Sequence, residues 1–312
     1  MTPKVRVGLG IATNPFSSAR AFFRFVDLCE ERGVDSLWQT DRLASSQPFL
    51  EAMTTMAALA GATDRLKFGM NAVVVSLRDP LLLAKQCATV DYLSGGRLLP
   101  VFGVGGDQAP EWAATGRSPK ARGARADEAL QLMQRLWSED SVSFEGEHYR
   151  YTDASIAPRP VQQPLPCWIG GSSPAAIRRT ALLGTGWLAG IQTPDQVAPV
   201  IEAIRKASHE AGRPIPEDHY GAGFPFRIGD PDDPLIRRFA LTARGREGYA
   251  AAGDARAILE RIEQYRAAGV SKFVLIPIAA GDDDLMRQAE RLVEEVLPVA
   301  QAEPAGGDPG GS

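Results

Sequence analysis

Residues 91–106 read DYLSGGRLLPVFGVGG. The apolar run LLPVF is preceded by Gly95–Gly96 and followed by Gly103, Gly105 and Gly106. Its length and flanking glycines predict a short buried strand over 97–104. Glycine in a strand loses packing and backbone entropy. A strand whose C-terminal end is stripped to glycine therefore has two readings. One is a bulge or a tight layer in a barrel. The other is a place where a ligand lies against bare main chain.

Comparable runs flank this one. VRVGLGIA (5–12), SLWQT (36–40), LKFGMNAVVV (66–75), CWIG (167–170), GWLAG (186–190), YGAGFPFRI (220–228) and KFVLIP (272–277) bring the set to eight. Helical spacing predicts helices over 18–32, 48–62, 80–93, 124–137, 174–183, 195–211, 255–268 and 284–296. The strands are apolar without alternation, as parallel strands covered on both faces are. Eightfold β/α alternation in the α/β class predicts one (β/α)₈ TIM-barrel domain over 1–302. A doubly wound open sheet is the competitor and more often uses fewer strands. Insertions are expected after strand 4, where FEGEHYRY (144–151) reads as a hairpin before a proline-rich run, and after strand 7, over 229–253. EPAGGDPGGS (303–312) reads as a loose tail.

Composition narrows the function classes. The chain has 312 residues, 44% hydrophobic and 23% charged, with a net charge of −4 and no polybasic run. That pattern predicts a soluble protein without a nucleic-acid or anionic-membrane footprint. Cys29, Cys87 and Cys167 are far apart in apolar surroundings and read as buried free thiols. The absence of a leader pattern or a ~20-residue apolar run makes a cytoplasmic location the expectation.

In a TIM barrel the chemistry sits at the C-terminal strand ends. Strand 2 ends in Asp41–Arg42, an acid and a base able to hold a cofactor ring or a polar substrate, or simply a loop ion pair. Asn71 in strand 3 needs partners if buried, and either a ligand or a neighbouring backbone supplies them. Strand 5 continues into IGGSSPAAIRR (169–179). There the N–H groups of Ser172, Ser173 and Ala175 at a helix start would cradle a phosphate, or Ser173 would merely cap the helix. His148, His209 and His219 fall at no metal-ligand spacing, so no metal is expected. GxSxG, P-loop and post-strand GxGxxG patterns are lacking. So few candidate acids and bases at the mouth point to a cofactor that carries the hard chemistry.

The stretches VDSLWQTDR (34–42), 68–106, RGARADEALQLMQRLWSEDSVSFEGEHY (122–149) and PCWIGGSSPAAIRRTALLGTGW (166–187) resemble the bacterial luciferase-like flavin and deazaflavin oxidoreductases. The resemblance implies a barrel with an isoalloxazine-type ring at its mouth and a phosphate tail on loops 4 and 5. It implies cofactor contacts from Asp41, Asn71, Ala72, Val74, Gly105, Gly106, Glu111, Gly171, Ser172, Ser173 and Ala175. It also places a strand-3 bulge, often with a cis peptide, at Asn71–Ala72.

Three positions depart from the family's deazaflavin-dependent sugar phosphate dehydrogenases. Arg42 replaces a histidine acid, Gln108 replaces a glutamate after GVG, and Glu111 replaces a cofactor-binding asparagine. Arginine does not give up its proton at neutral pH, so an Arg42 facing the pocket would clamp an anion or polarise a carbonyl. Catalytic roles are therefore expected of Asp41, Arg42 and Gln108, with Trp38, Gln192, Phe224 and Phe226 lining a substrate pocket, although Phe224 and Phe226 read equally as barrel core. The expected activity is hydride transfer between reduced coenzyme F-420 and a small organic substrate. The alternatives are an FMN-dependent monooxygenase using reduced FMN and O2, a non-redox barrel enzyme, and a non-catalytic flavin-binding protein. A homodimer, and a separate reductase supplying the reduced cofactor, are implied by the same resemblance.

Overall fold

A computed structural model describes residues 3–230, 232–242 and 248–302. The chain opens with β1 (Arg6–Ile11), α1 (Ala19–Glu31), β2 (Ser36–Gln39), α2 (Ala52–Ala62), β3 (Lys67–Val74), α3 (Pro80–Ser94) and β4 (Leu98–Gly103). A short α4 (Glu111–Ala114), α5 (Arg122–Ser138) and the antiparallel hairpin β5 (Val142–Glu145) and β6 (Arg150–Ala154) follow. The second half runs β7 (Trp168–Gly170), α6 (Pro174–Leu183), β8 (Gly186–Leu188), α7 (Pro194–Glu210), β9 (Tyr220–Ile228), α8 (Pro234–Thr242) and β10 (Ala251–Gly253). It ends with α9 (Ala255–Ala267), β11 (Lys272–Pro277), α10 (Gly281–Arg291), a π-helical turn Leu292–Val296 and α11 (Leu297–Ala300).

The strand order is β10-β9-β11-β1-β2-β3-β4-β7-β8, and β8 pairs back onto β9. Eight parallel strands thus close into a TIM-like barrel, with β10 added outside on the upper part of β9. All eight strands expected from the sequence are present. Four elements escaped that reading, all short: α4, α8, β10 and α11. The predicted tail at 303–312 lies outside the described residues.

Helix ends follow local chemistry. Ser18 Oγ accepts from Ala21 N–H at the start of α1, and Asp79 accepts from Leu82 N–H before Pro80 in α3. Gly95, at φ 65, turns the chain out of α3 in the left-handed region where glycine carries no side-chain penalty. The helices bury one face against the outside of the barrel, as Phe22, Phe25, Val26 and Cys29 of α1 do. All three cysteines are buried and free, as expected, and burial pushes their thiols up, Cys167 to about 12.

A second, smaller core fills the barrel itself: Trp38, Val101, Trp168, Leu188 and Val274. Two indoles need room, and glycines supply it. A Cβ on Gly69 would lie 2.2 Å from the Leu99 carbonyl and 2.6 Å from the Trp38 ring, and one on Gly186 would lie 2.4 Å from Trp168. At the N-terminal end Lys272 is buried, paired with Asp35, 5.7 Å from the Trp38 ring centroid. Burial lowers the Lys272 ammonium to about 8 although the Asp35 carboxylate beside it works the other way. Burial alone would raise Asp35, but Lys272 holds its carboxyl below the usual carboxylate range.

Candidate functional site

The C-terminal mouth is built differently. Along β3 the register to β4 shifts between Met70 and Val73, and the Asn71–Ala72 peptide is cis, where the resemblance placed a bulge. The Ala72 Cβ faces the gap between strands: Cβ atoms built on Gly103 and Gly170 would sit 3.5 and 3.6 Å from it. These three positions form a floor that carries no side chain larger than the Ala72 methyl. The loop after β4 continues it. Gly105 has φ 70, a conformation other residues rarely adopt, whereas nothing lies within 4 Å of a Cβ built on Gly106. Gly105 is thus explained by the backbone, and Gly106 is not explained by the protein's own packing. Trp112 Nε1 donates to the Gly106 carbonyl at 2.8 Å and Arg122 Nε to the Gly105 carbonyl at 3.1 Å, so the bare loop is held from behind.

Beyond β7 the same device recurs. Gly171, at φ 105, turns the chain into α6, and Trp187 Nε1 donates to its carbonyl at 2.7 Å. Ser173 Oγ accepts from Ala176 N–H at 3.2 Å, so the helix-capping reading of Ser173 holds for its side chain. Ser172, Ser173 and Ala175 are exposed at a helix end whose first N–H groups have no acceptor within the helix. The positive end of the helix dipole stands behind them.

The carboxylate of Asp41, expected to act in catalysis and cofactor binding, is engaged by the chain itself. Its two oxygens accept from Arg78 Nη1 and Nη2 at 2.7 Å each, and Oδ2 also accepts from Val74 N–H at 3.1 Å. Arg78 reaches Glu51 as well, at 3.0 Å. Burial would lower the Arg78 pKa, but the two carboxylates keep it raised. Asp41 is therefore a strut that ties β2 to the bulged end of β3. Arg78 lies in the SLRDP run, and nothing in that sequence pointed to a partner 37 residues upstream.

Arg42 and Glu111 meet across the mouth, Nε to Oε1 at 2.8 Å. The Glu111 side chain is 5% exposed and its Oε2 is buried without a hydrogen-bond partner, whereas Arg42 is 39% exposed. Gln108 is exposed on the glycine loop. Gln192, after β8, is half-buried, with Oε1 lacking a partner and its carbonyl accepting from Tyr265 OH.

The other three substrate candidates are packed in the interior, which for Phe224 and Phe226 is the core alternative. Trp38 is buried in the barrel interior, its Nε1 bonded to Ser36 Oγ at 2.8 Å. Phe224 and Phe226 are fully buried on the outer face of β9, where Phe224 stacks on Tyr265 at 5.5 Å between centroids. Period-2 alternation along β9 turns Gly221 and Gly223 inward, against Leu188 and Val274, and the aromatics outward.

One cluster was not foreseen. Ligand atoms of Glu128, Glu147 and His148 lie within 4.8 Å of one another, although sequence spacing had set His148 apart from any carboxylate. Glu128 spends both oxygens on the N–H groups of Glu147, His148 and Tyr149, and so anchors the hairpin to α5.

The family model for luciferase-like monooxygenases matches residues 2–274. An F-420-dependent glucose-6-phosphate dehydrogenase of Amycolatopsis mediterranei is 32% identical over 195 residues, covering 59% of this chain and 57% of that protein. The chain spans between half and two thirds of the length of the curated relatives it matches. Among solved structures, an F-420-dependent secondary alcohol dehydrogenase bound to an F-420–acetone adduct superposes with a TM-score of 0.82 at 20% identity, covering 96% of this chain and all of that one. A type II Baeyer-Villiger monooxygenase in complex with FMN gives 0.75 at 18% identity, covering 94% and 98%. These two structures share the barrel fold. The relative and the two structures named here are all oxidoreductases.

Proposed function

The chain belongs to the luciferase-like monooxygenase family, and from that premise we propose that it is an oxidoreductase passing hydride between coenzyme F-420 and a small organic substrate. The observation that carries this reading is the glycine floor at Ala72, Gly103, Gly106 and Gly170. Its openness leaves room for a flat tricyclic ring against main chain. The residues present fit such a group. Asn71, Ala72 and Val74 flank its position on β3, Gly105 and Gly106 on the loop after β4, and Gly171–Ala175 form the phosphate cradle. A bound deazaflavin supplies two-electron hydride chemistry, and the protein supplies position.

The chain's own residues hold that mouth rigid. Asp41 and Arg78 fix the end of β3, and Trp112, Arg122 and Trp187 fix the two glycine loops. Gln108 has no ionisable group, so proton handling at the mouth does not run through it. The same trait favours a second reading, a monooxygenase that takes reduced FMN from a separate reductase and uses O2. A homodimer fits exposed Leu82, Tyr92 and Leu93 on α3. Among the described residues no helix is long and apolar enough to cross a membrane, and a cytoplasmic location is part of the proposal.

The test is a fluorescence titration of the purified chain with coenzyme F-420 and, separately, FMN. Micromolar or tighter binding of F-420 is expected. Tighter binding of FMN selects the second reading, and binding of neither removes both.

A further inference from the structure

Arg42 follows β2 and Glu111 opens α4 after β4, so their contact spans the end of β3, which lies between those strands. The contact is incomplete. Arg42 Nε sits 2.8 Å from Glu111 Oε1 without an aligned hydrogen bond, and Glu111 Oε2 is buried with no partner. Among the described residues Glu111 is the only group that Arg42 engages. Its terminal nitrogens are thus uncommitted on a side chain 39% exposed at the mouth.

Three other arginines, less exposed than Arg42, are already engaged. Arg78 is saturated by Asp41 and Glu51, Arg122 by Asp107 and Gly105, and Arg179 by Asp127 and Gly123. A guanidinium steered at Nε by a buried carboxylate, with both terminal nitrogens free, is a planar fork that matches an oxyanion with two parallel hydrogen bonds.

We propose that Arg42 is the specificity-determining residue for an anionic group, a carboxylate or phosphate, on the organic substrate, and that Glu111 positions it. This rests on the oxidoreductase reading for the word substrate, but the anion site stands on its own geometry. Glu111 orients the fork, and its own charge opposes the incoming anion. Removing only that charge therefore tightens binding, whereas removing the fork abolishes it. A purely structural ion pair predicts neither.

The experiment is isothermal titration calorimetry of the full chain with benzoate, inorganic phosphate and benzamide, with and without saturating coenzyme F-420. At least one of the two anions binds the unaltered chain, and which one identifies the carboxylate or the phosphate. The double variant Arg42→Gln/Glu111→Gln leaves no unpaired buried charge, and it binds that anion roughly tenfold or more weakly. Glu111→Gln alone binds it several-fold more tightly, and uncharged benzamide does not distinguish the variants. Equal anion affinity in the unaltered chain and the double variant, with both folded by thermal melting, overturns the proposal, as does binding of neither anion. If F-420 and FMN fail to bind but Arg42-dependent anion binding persists, the oxidoreductase reading falls and the anion site stands.

Discussion

The two ends of the barrel use glycine for opposite purposes. At the N-terminal end Gly8, Gly69, Gly186 and Gly221 are glycine because Ser36, Trp38, Trp168 and Leu188 already occupy the space a Cβ needs. At the C-terminal end a Cβ on Gly106 meets nothing, one on Gly103 meets only the methyl of Ala72, and one on Gly170 meets that methyl and the Phe102 and Leu188 carbonyls at ordinary contact distance. The same residue type closes a core at one end and keeps a surface clear at the other. Lys272 and Asp35 pair with each other, whereas Glu111 and Gln192 keep an unpartnered oxygen at the mouth. Buried polar atoms without partners are rare in folded proteins, and Glu111 and Gln192 supply two of them at the mouth, while Tyr220 OH and Ser271 Oγ supply two at the N-terminal end.

The contrast breaks most visibly at Gly69. Gly69→Ala drives a methyl into the Leu99 carbonyl and the Trp38 ring, and overpacking of this kind costs about 1–3 kcal/mol or more. Denaturant unfolding should show a lower midpoint with an unchanged slope. A midpoint within error of the unaltered chain would mean the interior is looser than its contacts indicate.

The Lys272–Asp35 pair sharpens the comparison through pH. A lysine lowered to about 8 from 10.5 is charged in both the folded and the unfolded chain below pH 8. Between about 8 and 10.5 the unfolded chain binds the extra proton, so this residue makes stability rise with pH there. The unfolding free energy of the native chain, relative to a Lys272→Met variant, should increase across that window by roughly 1–3 kcal/mol. A flat difference would show that Lys272 is not desolvated as its burial implies.

Much of this layout is legible in sequence, because the eight strands are apolar runs punctuated by glycine and helix caps. The glycine loops, the helix start at Ser173–Pro174 and the bulge at Asn71–Ala72 were found from local pattern or family resemblance. Asp41 was legible too, but its pairing was not, because Arg78 is distant in sequence and only the fold brings them together. Trp38, Phe224 and Phe226 were ambiguous for a different reason. A strand that is apolar on both faces carries no alternation to say which side chains point into the barrel and which toward helices. The hydrogen bonds of Trp112, Arg122 and Trp187 to loop carbonyls likewise have no sequence signature, since indoles and guanidinium groups are read first as core or surface.

Gly106→Val is the smallest change to the fold and the sharpest probe of the mouth. Its Cβ meets open space and Gly106 lies outside the left-handed region, so stability should stay within about 0.5 kcal/mol. The measurement is an equilibrium fluorescence titration with coenzyme F-420, and in parallel FMN, on native and Gly106→Val protein whose thermal midpoints have been matched. A ring lying on that bare main chain predicts an affinity loss of at least about tenfold for the bound cofactor, with the melting temperature unchanged. Equal affinity in the two proteins, at equal stability, would contradict the claim that the glycine floor is the cofactor's seat.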